Sequence, residues 1–282
     1  ANLGTENTLA GHLLPGLEPN GVPENLRGSV LTFNYNRIDE LEALISTNEL
    51  GAIMMEVSRN FGPEDNFLQK VRDLATKHGI VLMFDECTSG FRQTFGGLHK
   101  MYGVEPDMAM FGKALGNGYA ITAVLGKRSV MEAAQNTFIS STFWTERIGP
   151  TAALATLDVM EQTKSWEIIT KMGQYITEQW SSIAKSTGIA IKTSGLPALT
   201  SFSVDSKFAL EYKTLITQEM LKKSYLAGTS VYVATVHTKE IVDRFFAELE
   251  PVFALIRECE DGRDVKALLD GPTCSSGFKR LN

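Results

Sequence analysis

Residues 79–86 read GIVLMFDE, a glycine and five apolar residues followed at once by two acids, Asp85 and Glu86. An apolar run of this length, without alternation, predicts a strand buried on both faces. Working outward, 51–57 (GAIMMEV) reads as a second buried strand, with 108–111 (MAMF), 121–126 (ITAVLG) and 29–34 (SVLTFN) as shorter ones. Helical spacing fills the gaps: 38–47 carries Ile38, Leu41, Leu44 and Ile45 on one face, and 66–78 carries Phe67, Val71 and Leu74. Apolar strands that alternate with helices predict an α/β fold with a mainly parallel sheet covered on both faces. Ligands of such sheets bind outside the C-terminal strand ends, which directs Glu56, Asp85 and Glu86 at one crevice.

Beyond the sheet, a long helical stretch is expected from 148 to about 185, through Leu154, Leu157, Met160, Ile169 and Ile176. Strand-like 189–192, 199–204 and 231–234 then alternate with helical 208–226 and 239–259, which predicts a smaller C-terminal α+β domain. The domain boundary is expected at 150, with residues 1–150 in the large domain and 151–282 forming the linking helix and the small domain. The first 28 residues, rich in Gly, Pro and Asn, read as a long irregular segment.

The chain has 282 residues, 43% of them hydrophobic and 21% charged, enough apolar content for a sizeable core. A net charge of −6 and a pI near 5.4 argue against nucleic acid as a partner. Cys87, Cys259 and Cys274 lie far apart with no CxxC pair, which excludes a disulfide framework and a zinc knuckle and points to a reducing, cytoplasmic setting. No apolar run reaches the roughly 20 residues of a membrane span, and ANLGTENTLAGHLLPG lacks the regions of a signal peptide. No metal site is expected, and His12 and His237 read as structural or surface histidines.

Three clusters carry chemistry. In 84–92 (FDECTSGFR) carboxylates end an apolar strand, where each needs a cation or a hydrogen-bond donor; a helix cap or an ion pair with Arg92 is the structural alternative. In 111–119 (FGKALGNGY) a single lysine, Lys113, stands among small and apolar residues. In such surroundings an amine loses its proton more easily and can attack a carbonyl, the alternative being a snorkelling surface lysine. In 140–144 (SSTFW) hydroxyls precede a helix and can receive an anion or simply cap. An acid, an activatable lysine and an anion-binding turn together suggest pyridoxal 5'-phosphate, with the lysine on the aldehyde, the acid on the ring nitrogen and the turn on the phosphate.

The runs DECTSGFR (85–92), FGKALGNGYAITAVLGKR (111–128) and FISSTFWTE (138–146), with NYNRIDELEAL (34–44) and GPTCSSGFKRLN (271–282), resemble the class-III aminotransferases of fold type I. Within that family they resemble the glutamate-1-semialdehyde 2,1-aminomutase-like group. The resemblance implies a pyridoxal-phosphate enzyme of amino-group transfer, either a transaminase or a 1,2-aminomutase. It makes Lys113 the imine-forming lysine, Asp85 the partner of the pyridine nitrogen and Cys87 a residue packed on the cofactor ring. Thr142, with Ser141 beside it, would bind the cofactor phosphate of the neighbouring subunit of a homodimer. Glu56 falls on the substrate side, although Val57 stands where the family often has Pro. The substrate would be a small amino or keto acid or an amino aldehyde. The large domain is expected to be incomplete: the N-terminal portion of the family, with its phosphate-cradling loop and ring-stacking aromatic, has no counterpart upstream of residue 51. A chain so built is expected to hold the cofactor weakly, and the competing reading is a truncated, catalytically incomplete homologue acting through its oligomer interface. A nicotinamide oxidoreductase would need a GxGxxG between strand and helix, which the sequence lacks.

Overall fold

The computed structural model describes residues 23–275 other than Arg27 and Arg59. Most of the irregular N-terminal segment, His12 and the last residues of the GPTCSSGFKRLN run lie outside the described residues. The chain forms two compact units that divide between Lys164 and Ser165; the sequence reading put the boundary after residue 150.

The first unit holds a four-stranded sheet, β1 (Ala52–Glu56), β2 (Val81–Asp85), β3 (Met108–Phe111) and β4 (Ala123–Gly126), in that spatial order. The first three strands are parallel, and β4 runs antiparallel along the edge of β3. Helix α1 (Ile38–Thr47) precedes β1, and α2 (Phe67–Lys77) connects β1 to β2. Phe67, Leu68, Val71 and Ala75 fall on one stripe of α2 and are buried, so the helix packs against β2 and α1.

Strand period and register sort the sheet into two unlike faces. Ile53 and Met55 stand beside Leu82 and Phe84, and Phe84 beside Ala109, all buried. On the other face Met54, Met83 and Met108 form one row in register. Met54 is 54% exposed and its two neighbours are half-buried. Cover is therefore complete on one face and partial on the other, because an unbroken apolar run shows what a strand can bury and not what lies over it.

Residues 29–34 form no strand. A cavity of about 950 Å³ is lined both by this segment and by β1, so the two do not pair. The segment ends instead in a turn held by the Glu40 carboxylate, which accepts from the Asn34 backbone N–H at 2.7 Å and from its side-chain amide. After β4 come the short α3 (Arg128–Met131) and α4 (Ile148–Thr163). The expected single helix over 148–185 is two: Lys164 takes a left-handed conformation (φ 51°) that closes α4, and α5 (Ser165–Thr187) begins after it.

In the second unit α5, α6 (Ala209–Lys222) and α7 (Lys239–Glu260) pack with a two-stranded antiparallel sheet, β5 (Ile191–Ser194) and β6 (Ser201–Val204). Trp180, Phe202, Tyr212, Phe246 and Phe253 form the centre of this core, with the Trp180 and Phe202 rings 4.8 Å apart. Gly173 lets α5 approach residues 197–199, since a Cβ there would meet the Pro197 carbonyl oxygen at 1.8 Å. Residues 231–234 run beside this turn without forming a strand. Val231 and Val233 donate to the Thr200 and Ala198 carbonyls, and the turn's curvature ends the ladder there.

Candidate active site

Two strands end side by side in acids. Glu56 and Asp85 are direct partners in the β1–β2 register, and Asp85 pairs in turn with Met110 on β3. The Cys87 backbone N–H donates to Asp85 Oδ1 at 2.9 Å, which fixes one carboxylate oxygen. β3 ends at Phe111, and the chain then turns so sharply that Lys113 adopts φ 45°. A lysine in the left-handed region carries a backbone cost of about 1–2 kcal/mol. Residues held in such conformations cluster at functional sites. The turn is secured by Leu115 N–H donating to the Gly112 carbonyl and by Gly116 and Asn117 N–H donating to the Lys113 carbonyl.

These two strand-end turns meet. Lys113 Nζ donates to Thr88 Oγ1 at 2.6 Å, although the lysine is otherwise exposed. A Cβ built on Gly112 would lie 3.5 Å from Cys87 Sγ. Burial pushes the Cys87 thiol above its ordinary pKa, and the negative charges of Asp85 and Glu56 add to this while Lys113 opposes it. Asp85, Cys87, Lys113 and Glu56 thus share one electrostatic neighbourhood.

Glu86, next in sequence to Asp85, goes the other way. It is fully buried and accepts from the His99 backbone N–H at 3.0 Å, His99 Nδ1 at 2.8 Å and Ser89 Oγ at 2.5 Å. Burial alone would raise the Glu86 carboxyl; the His99 and Ser89 hydrogen bonds outweigh it and hold the group below the usual carboxylate range. The His99 ring needs Gly97 beside it, because a Cβ there would come within 2.3 Å of the ring and 2.9 Å of Glu86 Oε1. The sequence reading assigned no role to His99 or Thr88. Their partners lie 13 and 25 positions away, a distance at which no spacing pattern gives a signal.

Ser141 and Thr142 make their described contacts within their own turn. Ser141 Oγ accepts from the Phe143 backbone N–H at 3.2 Å at the start of a 3-10 turn, Thr142–Thr145. Both hydroxyl residues are exposed, with Phe143 76% and Trp144 68% exposed beside them. Among the described contacts none joins them to Lys113 or Asp85. His237 accepts from the Ala234 N–H and shapes a turn in the second unit. Among the described residues no group of three His, Cys, Asp or Glu side chains could hold a metal ion.

A family model described as aminotransferase class-III matches residues 20–248. The chain belongs to the class-III aminotransferase family. A 3-aminobutyryl-CoA aminotransferase of Cloacimonas acidaminovorans is 32% identical over 237 residues, covering 78% of this chain and 56% of the relative. A glutamate-1-semialdehyde 2,1-aminomutase of Citrifermentans bemidjiense is 33% identical over 180 residues, covering 61% and 42%. This class-III chain therefore spans only about half the length of these curated relatives. Among solved structures, the FumI protein of Sphingopyxis sp. MTA144 in its PLP internal aldimine form superimposes with a TM-score of 0.78 at 20% identity, over 88% of this chain and 62% of that one. An omega-transaminase from Sphaerobacter thermophilus gives 0.73 at 21% identity, over 83% and 59%. At such identities the likeness shows the fold, an α/β sheet of the kind the sequence predicts.

Proposed function

We propose that the protein carries out pyridoxal 5'-phosphate-dependent amino-group transfer, with Lys113 as the residue that binds the cofactor aldehyde and Asp85 as the partner of its ring nitrogen. The observation that carries this reading is the meeting of the two strand-end turns, which brings a lysine amine to the side of a carboxylate-bearing turn. The donor set fits the group: an amine for the aldehyde, a carboxylate for a protonated ring nitrogen and a half-buried thiol for the ring face. The family membership and the FumI structure, which holds this cofactor, support it.

When bound, the cofactor supplies a ring that takes up the electron pair released at the substrate's amine-bearing carbon. Asp85 would hold the proton on the ring nitrogen, its charge placed in advance of the reaction, where it stabilises most. Lys113 would be placed to move the proton at the substrate carbon, as general base and then as general acid. Cys87 would pack on the ring, and Glu56, in register with Asp85, would meet the substrate. The substrate class is a small amino or keto acid, or an amino aldehyde as in the aminomutase relative.

Ser141 and Thr142 would serve the cofactor phosphate of a second copy in a homodimer, which accounts for hydroxyls displayed beside exposed Phe138, Phe143 and Trp144. Among the described residues no helix is long and apolar enough to cross a membrane. The three thiols are free, in keeping with a cytoplasmic setting. The test is to titrate the natural full-length protein with pyridoxal 5'-phosphate and to follow exchange of an amino group from an amino acid to a keto acid. A visible absorption band and amino exchange are expected; a protein that binds no cofactor refutes the reading.

A further inference from the structure

The amine of Lys113 does not project freely from its strained turn. It is tied to Thr88 Oγ1 at 2.6 Å, and Thr88 is buried. Thr88 is itself braced from both sides. The Arg92 guanidinium donates through Nε to the Thr88 carbonyl at 2.8 Å, and the Gly90 N–H donates to the Glu86 carbonyl at 2.8 Å, closing the turn around it. The same turn is anchored into the interior by the Glu86 carboxylate on His99 and Ser89. The Glu86 N–H, donating to the Met110 carbonyl at 2.8 Å, continues the β2–β3 ladder one residue past Asp85. The acceptor for the lysine is therefore part of a rigid support that reaches from the strand end to a buried carboxylate.

We infer that Thr88 is a positioning residue for Lys113: its hydroxyl holds the amine beside the Asp85 turn whenever the lysine is not covalently engaged. This rests on the reading of Lys113 as the lysine that binds the cofactor. A threonine suits the task because its hydroxyl accepts from an ammonium without adding charge, and it can also donate once the amine is neutral. A β-branched side chain also has few rotamers, so the acceptor stays in place when the amine leaves. In the proposed reaction the lysine must leave and return at each turnover, and a fixed acceptor gives it a defined place to wait.

The experiment uses the natural full-length protein stripped of carbonyl compounds with hydroxylamine. Lys113 is labelled with trace acetic anhydride and read by peptide mapping against all other lysines. The bond to Thr88 Oγ1 ties the amine down, so Thr88→Val should free it for acylation and raise Lys113 labelling about tenfold, the factor a hydrogen bond of roughly 1.4 kcal/mol sets. Thr88→Ser should restore the parent value, a rescue that a merely structural role would not show, and Thr88→Ala gives the same test if the valine variant does not fold. In the loaded enzyme, Thr88→Val should lower kcat with little change in KM. Unchanged labelling in both hydroxyl-free variants, or a serine variant that behaves like valine, overturns the inference. Because the labelling needs no cofactor, a tenfold contrast in a protein that never binds pyridoxal 5'-phosphate would refute the proposed function and leave the Thr88 contact standing. The absence of that contrast in a protein that does bind it would do the reverse.

Discussion

The stretch from Asp85 to His99 and the stretch from Phe138 to Thr145 both carry polar side chains among apolar ones, and they differ in where their partners are. In the first, nearly every polar group finds its partner within the unit: Glu86 with His99 and Ser89, Thr88 with Lys113, Asp85 with the Cys87 N–H. In the second, Ser141 among the described residues bonds within its own turn, while Phe138 at 98% exposed and Trp144 stand in the open. A self-braced stretch presents a reactive group with fixed geometry. The open stretch leaves large apolar side chains exposed, as interaction patches on protein surfaces do.

The comparison is sharpest at Asp85 and Glu86, adjacent acids with opposite surroundings, and breaking each should break something different. Asp85→Asn is expected to reduce kcat by about 10²–10³, the loss typical of a preorganised electrostatic group, with the thermal midpoint nearly unchanged. Glu86→Gln should do the reverse: kcat within about tenfold, and about 1–3 kcal/mol of stability lost as His99 and Ser89 lose a charged acceptor. Calorimetry and steady-state kinetics on the two variants decide this, and equal losses of kcat would mean that the acids are in the wrong order.

A pH series extends the same contrast to a smaller effect. The folded-state pKa of Glu86 is held down, so its contribution to stability is present above the ordinary carboxylate pKa and is lost as pH falls through the folded value. Asp107 behaves alike. Burial opposes its charge, yet bonds from Lys127, the Leu82 N–H and Arg72 bring it to about 2. The first unit should therefore weaken progressively below about pH 4, the ordinary range of a carboxylate. The gap between the parent protein and Glu86→Gln should narrow over that range in denaturant titrations. A gap that widens on acidification would place the stabilising charge elsewhere.

The smallest effect on folding is expected in the open stretch. Phe143→Ser and Trp144→Ser should change monomer stability by no more than about 0.5 kcal/mol, because neither side chain is buried within the chain. Sedimentation should instead show weaker self-association. Loss of stability without any change in association would make the stretch part of the core.

Much of the first unit was legible because its signals are local. The run 79–86 names a strand and shows where its acids begin, and the glycines around Lys113 mark a turn. The β1 and α2 patterns follow in the same way, each edge one residue inside the expected one. Two short apolar segments were misread as strands, 29–34 and 231–234. Whether such a segment pairs depends on the neighbour it meets: Asn34 is drawn into the Glu40 turn, and 231–234 lies against a curved turn. The break at Lys164 was equally invisible, since neither glycine nor proline marks it. Within the site, Asp85 and Lys113 could be named from their strand ends. Thr88 and His99 could not be given partners, because hydrogen bonds across 25 and 13 residues leave no periodic trace, and Glu86, for which an ion pair with Arg92 was the structural alternative, meets His99 and Ser89.

The proposed function stands or falls with Lys113, and no other lysine, as the residue that takes the cofactor. Borohydride reduction of the natural full-length protein with pyridoxal 5'-phosphate, followed by peptide mapping, tests it most directly. A single stable pyridoxyl label is expected on the peptide that contains Lys113. A label on Lys127 or any other lysine, with Lys113 unmodified, would contradict it.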